Sequence, residues 1–308
     1  MTEKIRLIAV VGPTASGKTK LGAQIAKAVD GEVVSADSMQ IYKGMEVASA
    51  APTKEEMLGV PHHLVSFVSP QSRFTVADYI KAADAAVSDI TAREKQPVLV
   101  GGTGLYVDSF INHTVFQNEV GTAEIREKLK KQAEEQGNEA LFERLREIDP
   151  ESAAKIEKND LRRIIRALEI YEIHKKPKSV LDREALLSPS PYRAVCIGLF
   201  WNDRQKLAER INKRIDLMVE NGLLEEARKS FESPNGATAA QAIGHKELFP
   251  YFAGEKSLEE CLERLKISTR QYAKRQMTWW RKNPSVNRIT VDETDDVFAA
   301  AMDIIKNS

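Results

Sequence analysis

Apolar residues along the first hundred positions come in two rhythms. Continuous runs at 7–11 (Leu-Ile-Ala-Val-Val) and 98–100 (Val-Leu-Val) have the composition of strands buried on both faces, whereas Leu21, Ile25 and Ala28 recur at helical spacing. The same reading gives strands at 32–36 and 63–68 and helices over 17–29 and 75–94. Thr53-Lys54-Glu55-Glu56 has the reciprocal spacing of a capping box, and Thr75-Val76-Ala77-Asp78 also opens like a helix. Alternating strand and helix predicts a parallel sheet with crossover helices.

After about 115 the rhythm changes. Residues 122–185 carry only helical periodicity with dense charge, as in Glu124-Ile125-Arg126-Glu127-Lys128-Leu129, and Ile148-Asp149-Pro150 marks a turn between segments. A helical insertion over 116–185 is therefore expected inside a core made of 1–115 and 186–308. A strand returns at 194–200, followed by helices near 203–220, 222–231, 239–251 and 257–281, a strand at 288–291 and a helix to Ser308. The predicted class is α/β, a P-loop NTPase-like parallel sheet core with a helical insertion domain.

Composition adds limits. A length of 308 residues predicts two domains, and Lys plus Arg equals Asp plus Glu at 45 each, so net charge points to no anionic partner. No apolar stretch approaches the ~20 residues of a membrane span, and Met-Thr-Glu-Lys leads into the first strand without a signal pattern. A cytoplasmic monomer with no membrane partner is expected. Cys196 and Cys261 are too few for a disulfide framework or a zinc site and read as buried small hydrophobes.

The chemistry begins between the first strand and the first helix. Gly12-Pro13-Thr14-Ala15-Ser16-Gly17-Lys18-Thr19 is a complete G-x-x-x-x-G-K-T loop. Its glycines turn backbone amides onto phosphate oxygens, the helix N-terminus adds partial positive charge, Lys18 supplies a point charge, and the Thr19 hydroxyl is a ligand for Mg²⁺. The loop implies a diphosphate or triphosphate ligand. Most such proteins also place an aspartate at the end of an apolar strand, but the strand at 98–100 ends in Gly101-Gly102-Thr103-Gly104. The missing acid argues against ATPase and GTPase activity. An acid does follow the second strand, in Ser35-Ala36-Asp37-Ser38-Met39-Gln40, where open α/β sheets place ligands. Asp37 is a base, a metal ligand or the cap of a following turn. His62 and His63 have no partner ligands and read as structural.

Basic residues cluster twice. Residues 262–282 hold seven basic residues and one acid, with Tyr272, Trp279 and Trp280 interleaved, a pattern suited to nucleic acid. On a helix, Arg270, Lys274 and Arg281 fall near one face, with Ile267, Ala273, Met277 and Trp280 toward the core. The second cluster, Asp160-Leu161-Arg162-Arg163-Ile164-Ile165-Arg166, opens a helix of the insertion, and its arginines are phosphate contacts or surface charge.

Five blocks in order resemble the bacterial tRNA dimethylallyltransferases, also called tRNA isopentenyltransferases. They are the loop at 12–19, Ser-Ala-Asp-Ser-Met-Gln-Ile-Tyr-Lys at 35–43, Val-Gly-Gly-Thr-Gly-Leu-Tyr at 100–106, Ala-Ile-Gly-His-Lys-Glu at 242–247 and Thr-Arg-Gln-Tyr-Ala-Lys-Arg-Gln at 269–276. His245 stands where that family usually has tyrosine. The resemblance implies transfer of a dimethylallyl group from its diphosphate to N6 of an adenosine next to the anticodon, with release of pyrophosphate. It further implies Asp37 as general base, Lys18 and Mg²⁺ at Thr19 on the leaving group, and Arg270 and Arg275 as further phosphate contacts. The implied tRNA contacts are Asp37, Ser38, Met39, Gln40, Thr103, Arg126, Arg162, Arg163, Ile164, Ile165, Arg166 and Gln241-Ala242-Ile243-Gly244-His245-Lys246, with the insertion holding the anticodon stem. A nucleoside or nucleotide kinase would use the same loop and Asp37, but it leaves the basic segments unexplained. An adenylate isopentenyltransferase acting on free nucleotide would not need the insertion.

Overall fold

The structure is a computed structural model that describes residues 4–114, 122–187, 189–233 and 235–308. The chain runs β1 (Ile5–Val11), α1 (Lys18–Ala28), β2 (Gly31–Ser35), β3 (His62–His63), α2 (Val76–Ala92), β4 (Gln96–Gly101) and α3 (Gly104–Ile111). Four helices follow: α4 (Thr122–Ile148), α5 (Pro150–Ala153), α6 (Leu161–His174) and α7 (Lys178–Leu186). The remainder is β5 (Tyr192–Phe200), α8 (Arg204–Glu220), α9 (Leu223–Glu232), a 3₁₀ turn at Ala239–Gln241, α10 (Phe249–Phe252), α11 (Leu258–Arg281), β6 (Val286–Thr290) and α12 (Val297–Lys306).

Two compact units result, one of Met1–Ile111 with Ser190–Ser308 and one of Asn112–Pro189. The boundary expected at 115/116 lies outside the described residues. In the first unit six strands pair in the order β3-β2-β4-β1-β5-β6, all parallel. This is the P-loop NTPase-like α/β architecture. Leu7, Ile8, Ala9, Val10 and Val11 are all fully buried, because α1 and α12 cover one face of the sheet while α2 and α3 cover the other. The chain departs from β1 toward β2 on one side and returns to β5 on the other. The carboxyl end of β1 is thus the switch point of the sheet, where such folds open a crevice.

Several predicted elements are shorter than their patterns suggested. The strand expected at 63–68 reduces to His62–His63, since Leu64 (φ 61°) and Ser66 (φ 48°) leave the extended region, and only Val68 regains a bridge, to Tyr42. The helix expected over 239–251 is a 3₁₀ turn and the one-turn α10, interrupted by Gly244 at φ 127°. The pair Thr53–Glu56 forms both capping hydrogen bonds, at 3.0 and 3.3 Å, yet only turns follow, as Leu58 enters the left-handed region. The last strand is Val286–Thr290 rather than 288–291. On α11, Ile267 is exposed. The buried stripe set by Cys261, Leu265, Ala273, Met277 and Trp280 leaves it on another face.

His63 is structural, as read. Its Nε2 lies 2.7 Å from Glu32, whose carboxylate also pairs with Arg93. Hydrogen bonds from Arg93, then His63, hold this buried acid down to about 2 despite the opposing effect of burial.

The second unit has its own core of Leu129, Leu141, Phe142, Leu145, Ile164, Ile165 and Leu168, packed between α4 and α6, with α4 broken at Gly137.

Candidate active site

The phosphate loop follows β1 at the switch point. Ala15 (φ 61°) and Gly17 (φ 96°) take left-handed backbone, and Gly17 caps α1 with no side-chain hydrogen bond. The first-turn amides of α1 therefore keep their capacity for an anion. The Lys18 ammonium folds back to donate to the Pro13 carbonyl at 2.6 Å. Burial, and then the neighbouring Arg214, push its pKa down to about 7 against the opposing pull of Asp37. One loop amide is already occupied: Thr14 N donates to Gln276 Oε1 at 2.8 Å, and Gln276 Nε2 donates to the Gly102 carbonyl at 3.0 Å. A side chain at Gly102 would stand 2.2 Å from Gln276 Nε2, so this bridge needs glycine there. The glycines after β4 thus serve a brace from α11 to the loop.

A cavity of about 340 Å³ opens beside the loop, lined by Thr14, Lys18, Thr19, Asp37 to Gln40, Val100, Gly101, residues 241–244, Lys246, α8 and α11. Its α8 wall is informative. Ile211, Arg214, Ile215 and Met218 recur at spacings of three, one and three, one face of a helix, and all four line the cavity. Arg214 donates to Thr14 Oγ1 at 2.9 Å, and Arg210 donates to the Ala15 carbonyl at 3.1 Å. With Leu265, Ala48, Ile243 and Val100, the α8 side chains put an apolar wall in the same cavity as the phosphate loop.

Asp37 caps the following turn with one carboxylate oxygen and leaves the other open. Its Oδ1 accepts from the Met39 amide at 2.9 Å, capping the turn, while Oδ2 makes no hydrogen bond among the described residues. Ser38 N donates to Thr103 Oγ1 at 3.0 Å, which ties the turn after β2 to the turn after β4. Gln40 braces rather than projects: it accepts from Ser35 Oγ at 3.0 Å and donates to the Ala50 carbonyl at 3.1 Å. Met39 packs against the buried cluster of Ile41, Tyr42 and Met45. Tyr272 and Arg275 line the cavity from α11, and burial pushes the Tyr272 phenol well up, so it stays a neutral donor.

Three sequence expectations need correction. Arg270 does not line the cavity; it donates to Asn212 at 2.7 Å, and Arg214 stands beside the loop instead. His245 is buried between Ser230 (2.8 Å) and Glu226 (2.9 Å), out of reach of a macromolecule, while its neighbours Gln241, Ala242, Ile243, Gly244 and Lys246 do line the cavity. Ile164 and Ile165 are buried in the core of the second unit. In that unit Arg126 and Arg166 both pair with the buried carboxylate of Glu169, at 2.8 and 3.0 Å, whereas Arg162 and Arg163 are exposed. Arg214 escaped the sequence reading because its apolar neighbours at 211, 215 and 218 look like the core stripe of an ordinary amphipathic helix.

Residues 40–283 match the IPP transferase family. The chain belongs to that family. It is 47% identical to the tRNA dimethylallyltransferase of Caldanaerobacter subterraneus subsp. tengcongensis over 292 residues, 94% of this chain and 93% of the relative. It is 44% identical to the tRNA dimethylallyltransferase of Bacillus cytotoxicus over 290 residues, 93% of this chain and 91% of the relative. Among solved structures it resembles the full-length tRNA isopentenylpyrophosphate transferase of Bacillus halodurans, at TM-score 0.72 and 41% identity, covering 99% of this chain and 95% of that one. It also resembles a eukaryotic dimethylallyltransferase acting on tRNA, at TM-score 0.78 and 30% identity, covering 98% of this chain and 79% of that one. The family match begins at residue 40 and so leaves out the phosphate loop, which the geometry supplies independently.

Proposed function

We propose that this protein transfers a dimethylallyl group from dimethylallyl diphosphate to N6 of the adenosine 3′ to the anticodon of tRNA. The observation that carries the reading is the sharing of one cavity by a phosphate loop, an apolar wall and a carboxylate. A kinase acting on a polar acceptor has no use for Ile211, Ile215, Met218 and Leu265 beside its phosphates; a five-carbon chain does. Membership of the IPP transferase family and the names of the relatives support the same reaction and substrate.

In this reaction N6 attacks the first carbon of the allyl chain, the carbon–oxygen bond breaks, and pyrophosphate leaves with the bonding pair. The free Oδ2 of Asp37 takes the N6 proton, while Oδ1 stays with the turn. Lys18, Arg214 and the first-turn amides of α1 neutralise charge growing on the departing pyrophosphate. No phosphorus atom is attacked, so no water-activating acid is needed at the end of β4.

Thr19 Oγ1 has no hydrogen-bond partner among the described residues and lines the same cavity as Asp37, a donor set that fits Mg²⁺. Thr19 and Asp37 would hold the ion beside the diphosphate. The ion supplies charge neutralisation on the diphosphate.

Adenine must leave its stack to reach this cavity, so the target base flips out of the loop. Arg162 and Arg163 of the second unit are exposed cations suited to phosphates of the anticodon stem. The enzyme acts as a cytoplasmic monomer. No helix among the described residues is long and apolar enough to cross a membrane.

Two labels separate prenyl transfer from kinase chemistry. Unmodified tRNA and Mg²⁺ are incubated either with dimethylallyl diphosphate labelled in its carbon chain or with ATP labelled in its terminal phosphate. Label entering RNA from the carbon chain alone is expected; phosphate label in any acceptor, with none from the carbon chain, overturns the proposal.

A further inference from the structure

A second cavity, of about 460 Å³, adjoins the first and shares Ile243, Lys246 and Arg275 with it. One face of α11 forms a side of it: Glu260, Arg264, Ser268, Gln271 and Arg275 recur at spacings of four, four, three and four. Such spacing stacks side chains in a single row. From Arg264 to Arg275 the row runs about 16 Å along the axis.

The cavity lining carries net positive charge. Lys246, Lys256, Arg264 and Arg275 outnumber the two acids, Glu247 and Glu260, each of which accepts from a backbone amide. Glu247 accepts from the Gly244 amide at 2.9 Å, and Glu260 accepts from the Ser257 amide at 2.9 Å in the capping box of α11. Arg264 is exposed and has no hydrogen-bond or ion-pair partner among the described residues. Ser268 and Gln271, between the cations, can both donate and accept. A predominantly charged groove with few apolar side chains does not suit a protein partner; it suits one unit of a polyanion.

We propose that this cavity is the subsite for a nucleotide flanking the reacting adenosine, with Arg264 and Lys256 on its phosphate and Ser268 and Gln271 on its sugar hydroxyl or base edge. The inference rests on the tRNA-prenylating reading above. A base inserted in the first cavity stays tethered to its neighbours, and the strand can leave along the wall common to both cavities at Ile243, Lys246 and Arg275. Arg264 and Lys256 then fix the register of the strand, and the pair at 268 and 271 reads what adjoins the target.

The test uses an anticodon stem-loop RNA with single methylphosphonates at each phosphate around the target adenosine. Each RNA is assayed with the wild-type protein, with the double variant Arg264→Ala/Lys256→Ala, and with Lys229→Ala as an exposed control remote from both cavities. The double variant is expected to raise KM for RNA about tenfold, the size of one charge-assisted phosphate contact. Removing charge from one flanking phosphate should cost the wild type the same factor and cost the double variant nothing more. A KM equal to wild type, or losses that multiply at every phosphate, overturns the subsite. Absence of prenyl transfer by the wild type to the unsubstituted RNA would instead strike the functional reading, so the two failures are distinguishable.

Discussion

Arg214 donates to Thr14 Oγ1 at 2.9 Å, joining α8 to the phosphate loop that follows β1. The guanidinium thereby stands beside Lys18, and burial lowers its pKa as well. Two basic groups held together in a buried site disfavour each other's charged form until an anion arrives, and a diphosphate favours it again.

Replacing Arg214 should therefore hurt the chemistry more than the fold. Arg214→Gln is expected to lower kcat/KM for dimethylallyl diphosphate about 10²-fold, the scale of one lost donor to a developing anion. Arg270→Ala, which loses a contact to Asn212 outside the cavity, should cost far less. Steady-state kinetics on both variants check the contrast, and equal losses would contradict the placement.

Asp37→Asn keeps the acceptor that caps the turn and removes the carboxylate charge. Turnover should fall about 10²- to 10⁴-fold, the range of general-base catalysis, while RNA affinity stays within a few-fold. Single-turnover prenylation and filter binding on the same preparation test this. An unimpaired rate would remove Asp37 from proton transfer.

Lys18, with its pKa pushed down to about 7, is largely neutral above that value in the free protein. A bound diphosphate favours the ammonium, so its pKa rises on binding and the complex takes up a proton in the window above pH 7. Calorimetry at pH 8 in buffers of different ionisation enthalpy should show that uptake, and affinity should decline from pH 7 to 9. A buffer-independent enthalpy would contradict it.

His245 holds the Glu226 carboxylate, which in turn accepts from the amides of Val47 at 2.8 Å and Ala48 at 2.9 Å. His245→Phe leaves that nearly buried carboxylate short of a partner and should destabilise the protein by about 1–3 kcal/mol. Because Ala48, Gly244 and Ile243 all line the cavity, KM for the donor should rise with the loss of melting temperature. Thermal unfolding and donor titration together test this coupling; a normal melting temperature would refute it.

The sheet core was legible because its strands are buried on both faces and read as unbroken apolar runs, as at 7–11 and 98–100. Short elements were not: β3 depends on tertiary pairing with β2, and Leu64 leaves the strand for reasons its side chain does not announce. At the site, the loop and Asp37 were visible because glycine spacing and a strand-end acid have local signatures. Gln276 and Arg214 act across more than half the chain, on Thr14, and neither carries a local pattern that distinguishes it from a surface polar residue. His245 stood among the tRNA contacts only through the resemblance, and its packing against α9 reveals that it points inward.

The central claim is that the loop holds a pyrophosphate leaving from carbon. Purified protein with dimethylallyl diphosphate, Mg²⁺ and unmodified tRNA, followed by nucleoside mass analysis and pyrophosphate quantitation, tests it most directly. One dimethylallyl unit on one adenosine per pyrophosphate released is the expected result. RNA of unchanged mass, or ATP consumed in proportion to product, would contradict it.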